Sequence, residues 1–243
     1  MRYGLVSDVH GNLEALTAVL AHLDAEGYDR LIFLGDAVGY GANPNEVCDI
    51  LRQRTSVSIV GNHDAAVAGR MAFDGYYEAA RHALAWCQTQ MTPANLGWLT
   101  ELPYKVEEGA VAFCHGAPVV PEVFDYLFAV DQVQDLLPAF ASLQATTFIG
   151  HSHLALSFSL TQDEVQAMVV PRLHCDAAHK FIITVGSVGQ PRDRDPRACC
   201  GIFDTETATF IYHRVAYDVQ AARQKILAAG LAPVFGERLL LGI

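Results

Sequence analysis

Five short polar stretches interrupt the apolar patterning of this chain: Asp8-Val9-His10, Gly35-Asp36, Gly61-Asn62-His63-Asp64, His115-Gly116 and Gly150-His151-Ser152-His153. Together they offer carboxylates, an amide oxygen and imidazoles, the groups that hold divalent cations or move protons near neutral pH. Singly, each has an ordinary structural use. An Asp-x-His or Gly-Asp after a strand serves as a turn or helix cap, and an isolated His115 suits a hydrogen-bonded core position. His151 and His153 are less ordinary, because alternate residues near a strand end face one side and would put two imidazoles together. The set gains weight because each stretch follows an apolar run.

Those runs define the elements that must position the polar residues. Residues 2–7 read as a strand, Leu13, Leu16, Val19, Leu20 and Leu23 as the buried face of a helix, and Leu31–Leu34 as a second strand. A glycine-rich loop from Gly35 to Gly41 and a helix opening near Pro44 follow. Val57–Val60 predicts a third strand, and about 65–102 a helical, aromatic-rich insertion. Short strands are then expected at 110–114, 146–149, 154–160, 165–170, 181–185, 199–203 and 209–214, and a last amphipathic helix over about 218–229. Strand-helix units followed by a strand-rich half predict an α/β fold: a four-layer α/β/β/α sandwich of two mixed sheets, in a single domain spanning 1–243. Ligands in α/β folds gather beyond the carboxyl ends of strands, where all five polar stretches fall.

In this order the five stretches resemble the calcineurin-like metallophosphoesterase superfamily. Gly35-Asp36-Ala37-Val38-Gly39-Tyr40-Gly41 and Gly186-Ser187-Val188-Gly189-Gln190-Pro191-Arg192-Asp193 are further similar to a bacterial and archaeal phosphodiesterase-like subgroup. The resemblance implies hydrolysis of phosphomono- or phosphodiesters by a hydroxide bridging two divalent metal ions. One ion would take Asp8, His10, Asp36 and His153, and the other Asp36, Asn62, His115 and His151. A shared carboxylate has two oxygens with which to hold two cations, and a neutral Asn62 preserves a local positive excess for the phosphate. Imidazole and oxygen ligands without thiolate favour Mn, Fe, Co, Ni or Zn over Ca, with Mg a poorer match. The resemblance sets His63 beside the leaving group, as an acid or as a donor to a phosphoryl oxygen. Asp64 would orient its ring or cap a helix. Two departures bear on the substrate pocket: Gly39 stands where many members carry a second acid, and Thr184-Val185 where the subgroup often has Asn-Pro.

The expected partner is a phosphorylated small molecule, with Tyr40 and Arg192 as substrate contacts. Arg192 lies in Gln190–Arg197, whose alternating charges also fit a self-paired surface loop. Its other use is a guanidinium fork on a phosphate that the metals do not hold, as in the alternative substrate class, the dinucleoside polyphosphates of the diadenosine tetraphosphate type. A net charge of −11 argues against general nucleic-acid or acidic-membrane binding. No apolar run approaches the roughly 18 residues of a membrane span and the first residues form no signal-peptide core, so a cytoplasmic location is expected. Six cysteines without a C-x-x-C pair are expected to be free thiols, Cys114 among them in the core. A complete ligand set separates an enzyme from a non-catalytic metal-binding scaffold. The lack of an H-x-H-x-D-H run separates it from metallo-β-lactamase-type hydrolases.

Overall fold

A computed structural model describes residues 1–243. One six-stranded sheet contains β1 (Arg2–Val6), β2 (Arg30–Phe33), β3 (Val57–Ser58), β9 (Arg172–His174), β11 (Ala198–Asp204) and β12 (Thr209–Val215), in the order β3-β2-β1-β11-β12-β9. The other contains β4 (Lys105–Glu108), β5 (Val111–Cys114), β6 (Thr146–Ile149), β7 (Ala155–Leu160), β8 (Val165–Met168) and β10 (Lys180–Val185), in the order β4-β5-β6-β10-β7-β8. Strands β1, β2 and β3 are parallel, and so are β5, β6 and β10. Each sheet therefore gathers three carboxyl-terminal strand ends along one edge.

The period of two along each strand divides its side chains between two cores. In β2, Leu31 and Phe33 join the core under the helices, while Ile32 and the following Leu34 join the core between the sheets. Phe148 anchors the inter-sheet core, with ring centroids 5.1 Å from Phe203 and 5.4 Å from Phe210. Helices α1 (Leu13–Glu26), α2 (Pro44–Arg54), α3 (Asn62–Val67), α4 (Glu78–Gln90) and α5 (Pro93–Glu101) contribute to the helical core. Helices α7 (Val219–Ala228) and α8 (Pro233–Leu241) close against Tyr40 and α4. The outer face of the second sheet is covered more thinly, by the short α6 (Val130–Gln134) and an adjoining 3-10 turn at Leu137–Ser142, while a 3-10 turn at Pro121–Val123 buries no residue. All six cysteines are free and buried.

Three expectations change. The third strand is only two residues long, although the Ile59 amide still donates to Phe33 O at 2.9 Å before the Val60 amide turns to Pro103 O at 2.9 Å. The stretch 65–102 is not continuously helical: Tyr76 and Tyr77 precede α4, in the connection after α3. Strands β4 and β9 and helix α8 were not anticipated; Lys105-Val106-Glu107-Glu108 is too charged to read as a strand, yet it pairs antiparallel with β5 as an edge.

Candidate metal centre

The strand ends meet. Asp8 and His10 follow β1, Asp36 follows β2, Asn62 and His63 follow β3, His115 follows β5, and His151 and His153 follow β6, and all are buried. They form overlapping groups: Asp8 with His10 and His153, Asp36 with His115 and His151, and His10 with Asp36 and His63, each with donor atoms within 4.8 Å of one another.

The loops reach this geometry through strained backbone. Asp8, His10, Asp36, Tyr40, His151 and His153 have φ of 52°, 49°, 61°, 59°, 65° and 59°, a left-handed region that costs non-glycine residues free energy and clusters at functional sites. This corrects the picture of His151 and His153 as alternate residues of an extended strand. Strand β6 ends at Ile149, and turns send the two rings to different groups, His153 beside Asp8 and His151 beside Asp36.

Backbone carbonyls fix the imidazoles. His10 Nδ1 donates to Val38 O at 3.0 Å, His115 Nδ1 to Leu34 O at 2.7 Å and His153 Nδ1 to Gln190 O at 2.6 Å. A carbonyl only accepts, so in the neutral rings each Nε2 presents a lone pair inward. The Nε2 atoms of His10 and His153 then face each other at 3.2 Å with no proton to share. His115 Nε2 faces Asn62 Oδ1 at 3.2 Å, an orientation set because the Asn62 amide donates to Tyr76 Oη at 2.6 Å, and in the metal-free chain a proton on this nitrogen stands where an ion would. Lone pairs opposed in a buried space fit a cation between them, so the donor set suits metal ions.

Asp36 stands between the groups. Its Oδ1 accepts from the His63 amide at 2.9 Å, and its Oδ2 lies 3.6 Å from His10 Nε2 and 3.4 Å from His115 Nε2. One carboxylate oxygen faces both sides, rather than one oxygen for each. Asp8 Oδ1 is 3.3 Å from His153 Nε2 and 3.9 Å from His10 Nε2. Burial pushes the Asp8 carboxyl up to about 7, against the opposing pull of His115. Burial also disfavours ionised Asp36, but the charges of His115 and His63 hold it well below the usual carboxylate range. His115 moves the other way, up to about 9, as Asp36 and Asp8 overcome its burial. Burial holds His10, His151 and His153 well below the usual imidazole range.

Asp64 does not touch the His63 ring. Its carboxylate accepts from the amides of Asp36 at 2.7 Å, Gly61 at 3.1 Å and Val38 at 3.2 Å, clamping the β2 loop to the start of α3. Of the two roles open to it, orienting the ring or capping a helix, these contacts fit the capping one. The buried His63 Nδ1 has no hydrogen-bond partner, and the ring lies among His10, Tyr40 and Tyr76, with centroids 4.8, 4.6 and 5.7 Å away. Gly39 makes room for it: a Cβ there would overlap His63 Nδ1.

Above these residues opens a cleft of about 300 Å³, lined by Tyr40, His63, Tyr76, Tyr126, Arg192 and Arg238 among others. The loop carrying Arg192 is only partly self-paired. Asp195 binds Arg197 and Asp193 binds Arg214, leaving Arg192 with no carboxylate partner, its guanidinium 5.9 Å from the Tyr40 ring and its buried Nε without a hydrogen bond. Sequence reasoning missed Tyr76, Tyr126 and Arg238. Tyr126 stacks on His151 at 3.7 Å from a segment without periodicity, and Arg238 arrives on the unanticipated α8.

Comparison with known proteins agrees with this architecture. Residues 1–208 match the family model described as the calcineurin-like phosphoesterase superfamily domain. An uncharacterised protein of Methanocaldococcus jannaschii is 37% identical over 242 residues, covering 98% of this chain and 97% of that protein. A metallophosphoesterase from Sphaerobacter thermophilus superposes with a TM-score of 0.86 at 34% identity, over 100% of this chain and 99% of that one. A hypothetical protein from Pyrococcus horikoshii shares the fold with a TM-score of 0.78 at 18% identity, over 100% and 98% of the two chains.

Proposed function

The chain belongs to the calcineurin-like phosphoesterase superfamily and is a hydrolase of phosphate esters, and from that premise we propose that it cleaves phosphomono- or phosphodiesters at a centre of two divalent metal ions. Asp8, His10, Asp36 and His153 would hold one ion, and Asp36, Asn62, His115 and His151 the other. The observation that carries this reading is the Asp36 Oδ2 atom, within 3.6 Å of His10 Nε2 on one side and 3.4 Å of His115 Nε2 on the other. When bound, the ions supply positive charge to the phosphoryl oxygens and a water of lowered pKa. The protein's own share is positional: carbonyls lock three imidazoles in one tautomer, Tyr76 turns the Asn62 oxygen inward, and Tyr126 covers His151. His63, at the cleft wall, donates a hydrogen bond to the substrate.

Asp36→Asn tests the shared ligand. It should leave fewer than two Mn or Zn per chain by elemental analysis and abolish hydrolysis of a bis-aryl phosphodiester. Two tightly held ions in that variant, or full activity in chelator-stripped protein, would refute the proposal.

A second reading, hydrolysis of dinucleoside polyphosphates, is favoured by Arg192, which lines the cleft without a carboxylate partner. A lost hydrogen bond to a charged group costs about 1.5 to 3 kcal/mol, or roughly 10- to 150-fold. Arg192→Ala should lower kcat/KM for diadenosine tetraphosphate by that factor and leave p-nitrophenyl phosphate nearly unaffected. Equal, small losses would remove this reading.

A further inference from the structure

A second group of metal-ligating side chains lies apart from the strand-end cluster. His22 and Glu26 are four residues apart on α1 and so share one helix face, and His213 on β12 stands cross-strand from Cys200, which packs in the core beneath the helices. His22 Nε2 is 2.9 Å from His213 Nδ1, and one donor atom from each of the three residues lies within 4.8 Å of the other two. Both rings are half-buried and Glu26 is exposed. The site is roughly 15 Å along α1 from Asn12, at 1.5 Å per residue, well outside the catalytic cluster.

We propose that His22, Glu26 and His213 form a peripheral site for one late divalent transition ion of the Zn, Ni or Cu class, clamping α1 to β12. Two imidazoles and one carboxylate are the ligand types these ions take. Metal–nitrogen bonds of about 2.0–2.1 Å at a right angle separate two nitrogens by about 2.9 Å, while a tetrahedral angle needs about 3.3 Å. The observed separation suits the tetragonal geometry of Cu or Ni and needs only a few tenths of an ångström of opening for Zn. In the metal-free chain the rings share one N–H between two nitrogens, and the ion takes the proton's place. Nearby Arg2 does not occupy the Glu26 carboxylate: its Nη1 donates to the Glu26 carbonyl at 3.0 Å. Solvent fills the ion's other positions, so the site holds the two elements together and leaves the ion reachable by chelators.

Full-length wild type, His213→Gln and Glu26→Gln, each equilibrated with excess Zn²⁺ and desalted, provide the test by elemental analysis. His213→Gln should hold one Zn fewer per chain while bis-aryl phosphodiesterase activity stays within about twofold, which separates this site from the catalytic one. Glu26→Gln, a surface change that cannot unfold the chain, should weaken the peripheral Zn by at least about tenfold in a competition titration against a chelator. Cu²⁺ added to Mn-loaded wild type should give a tetragonal electron-spin signal with nitrogen coupling, absent in His213→Gln. Equal Zn content in wild type and His213→Gln, with equal affinity in Glu26→Gln, would overturn the proposal whatever the activity.

Discussion

His63 combines a buried, unpartnered Nδ1, a glycine where any Cβ would collide with it, and a nearby Asp36 carboxylate that makes no hydrogen bond to its ring. Burial pushes it down to about 4, and nothing beside it stabilises a protonated imidazole enough to reverse this. Of the two roles open to it, hydrogen-bond donor to a phosphoryl oxygen fits better than proton-carrying acid. His63→Gln should keep its metal content and lose on the order of 10² to 10³ in kcat, the range for one preorganised donor. The loss should be similar for p-nitrophenolate and alkoxide leaving groups; a much larger loss for alkoxide would restore the acid role. The residues of this site were legible because donor-bearing types recurred after successive strands. The choice between the two roles open to Asp64, and the role of Tyr76, were not, since they depend on which amide or carboxamide lies within reach, a property of folded loops.

At the scale of elements, the loop after β10 acts as a brace for the loop after β1. Val188 N and Gly189 N donate to Ser7 O and Asp8 O at 3.0 and 2.9 Å, Ser187 Oγ donates to Asp8 O at 2.8 Å, and Asn12 Nδ2 donates to Gly189 O at 2.9 Å while its Oδ1 caps α1. A Cβ at Gly189 would overlap Val9 O, which is backbone and cannot swing aside. Gly189→Ala should therefore destabilise the fold by about 1 to 3 kcal/mol and misplace Asp8 and His10. Thermal unfolding should show a lower midpoint and elemental analysis a lower metal content, whereas wild-type values for both would dismiss the brace. The strand-helix units at the start of the chain were readable from their periods, because each buries a whole face. The segment between His115 and Thr146 was not: its helix is five residues long and its 3-10 turns three and six, too short to repeat a period, and Tyr126 lies between them. Helix α8 was hidden for another reason, since its buried Phe235 and Leu239 pack on α7 and Tyr40, neither of which its own sequence announces.

For the molecule as a whole, the centre makes stability depend on pH in a direction that metal ions should cancel. Asp8 and Asp64 are pushed up to about 7 by burial and His115 up to about 9 by Asp36 and Asp8 against its own burial. A group whose folded pKa is raised binds protons more tightly in the folded state, so its contribution is full below the unfolded pKa and lost as pH rises through the folded one. For His115 that window runs from an ordinary imidazole value near 6.5 to about 9. Metal-stripped protein should thus lose thermal stability between pH 6.5 and 9, and added Mn or Zn should raise the midpoint more at pH 9 than at 6.5. A metal-stripped midpoint that rises across this range would contradict the assignment. The buried cysteines carry a different consequence. Cys87 packs in the helical core, Cys114 immediately precedes His115, Cys199 meets the turn at Gly186, and Cys175 lies in the inter-sheet core. Burial raises all four thiols above their ordinary range, so a thiolate reagent finds none of them while the native packing holds. Each thiol is then a clock for the opening of its own layer, and the order in which they are labelled gives the order in which the layers come apart.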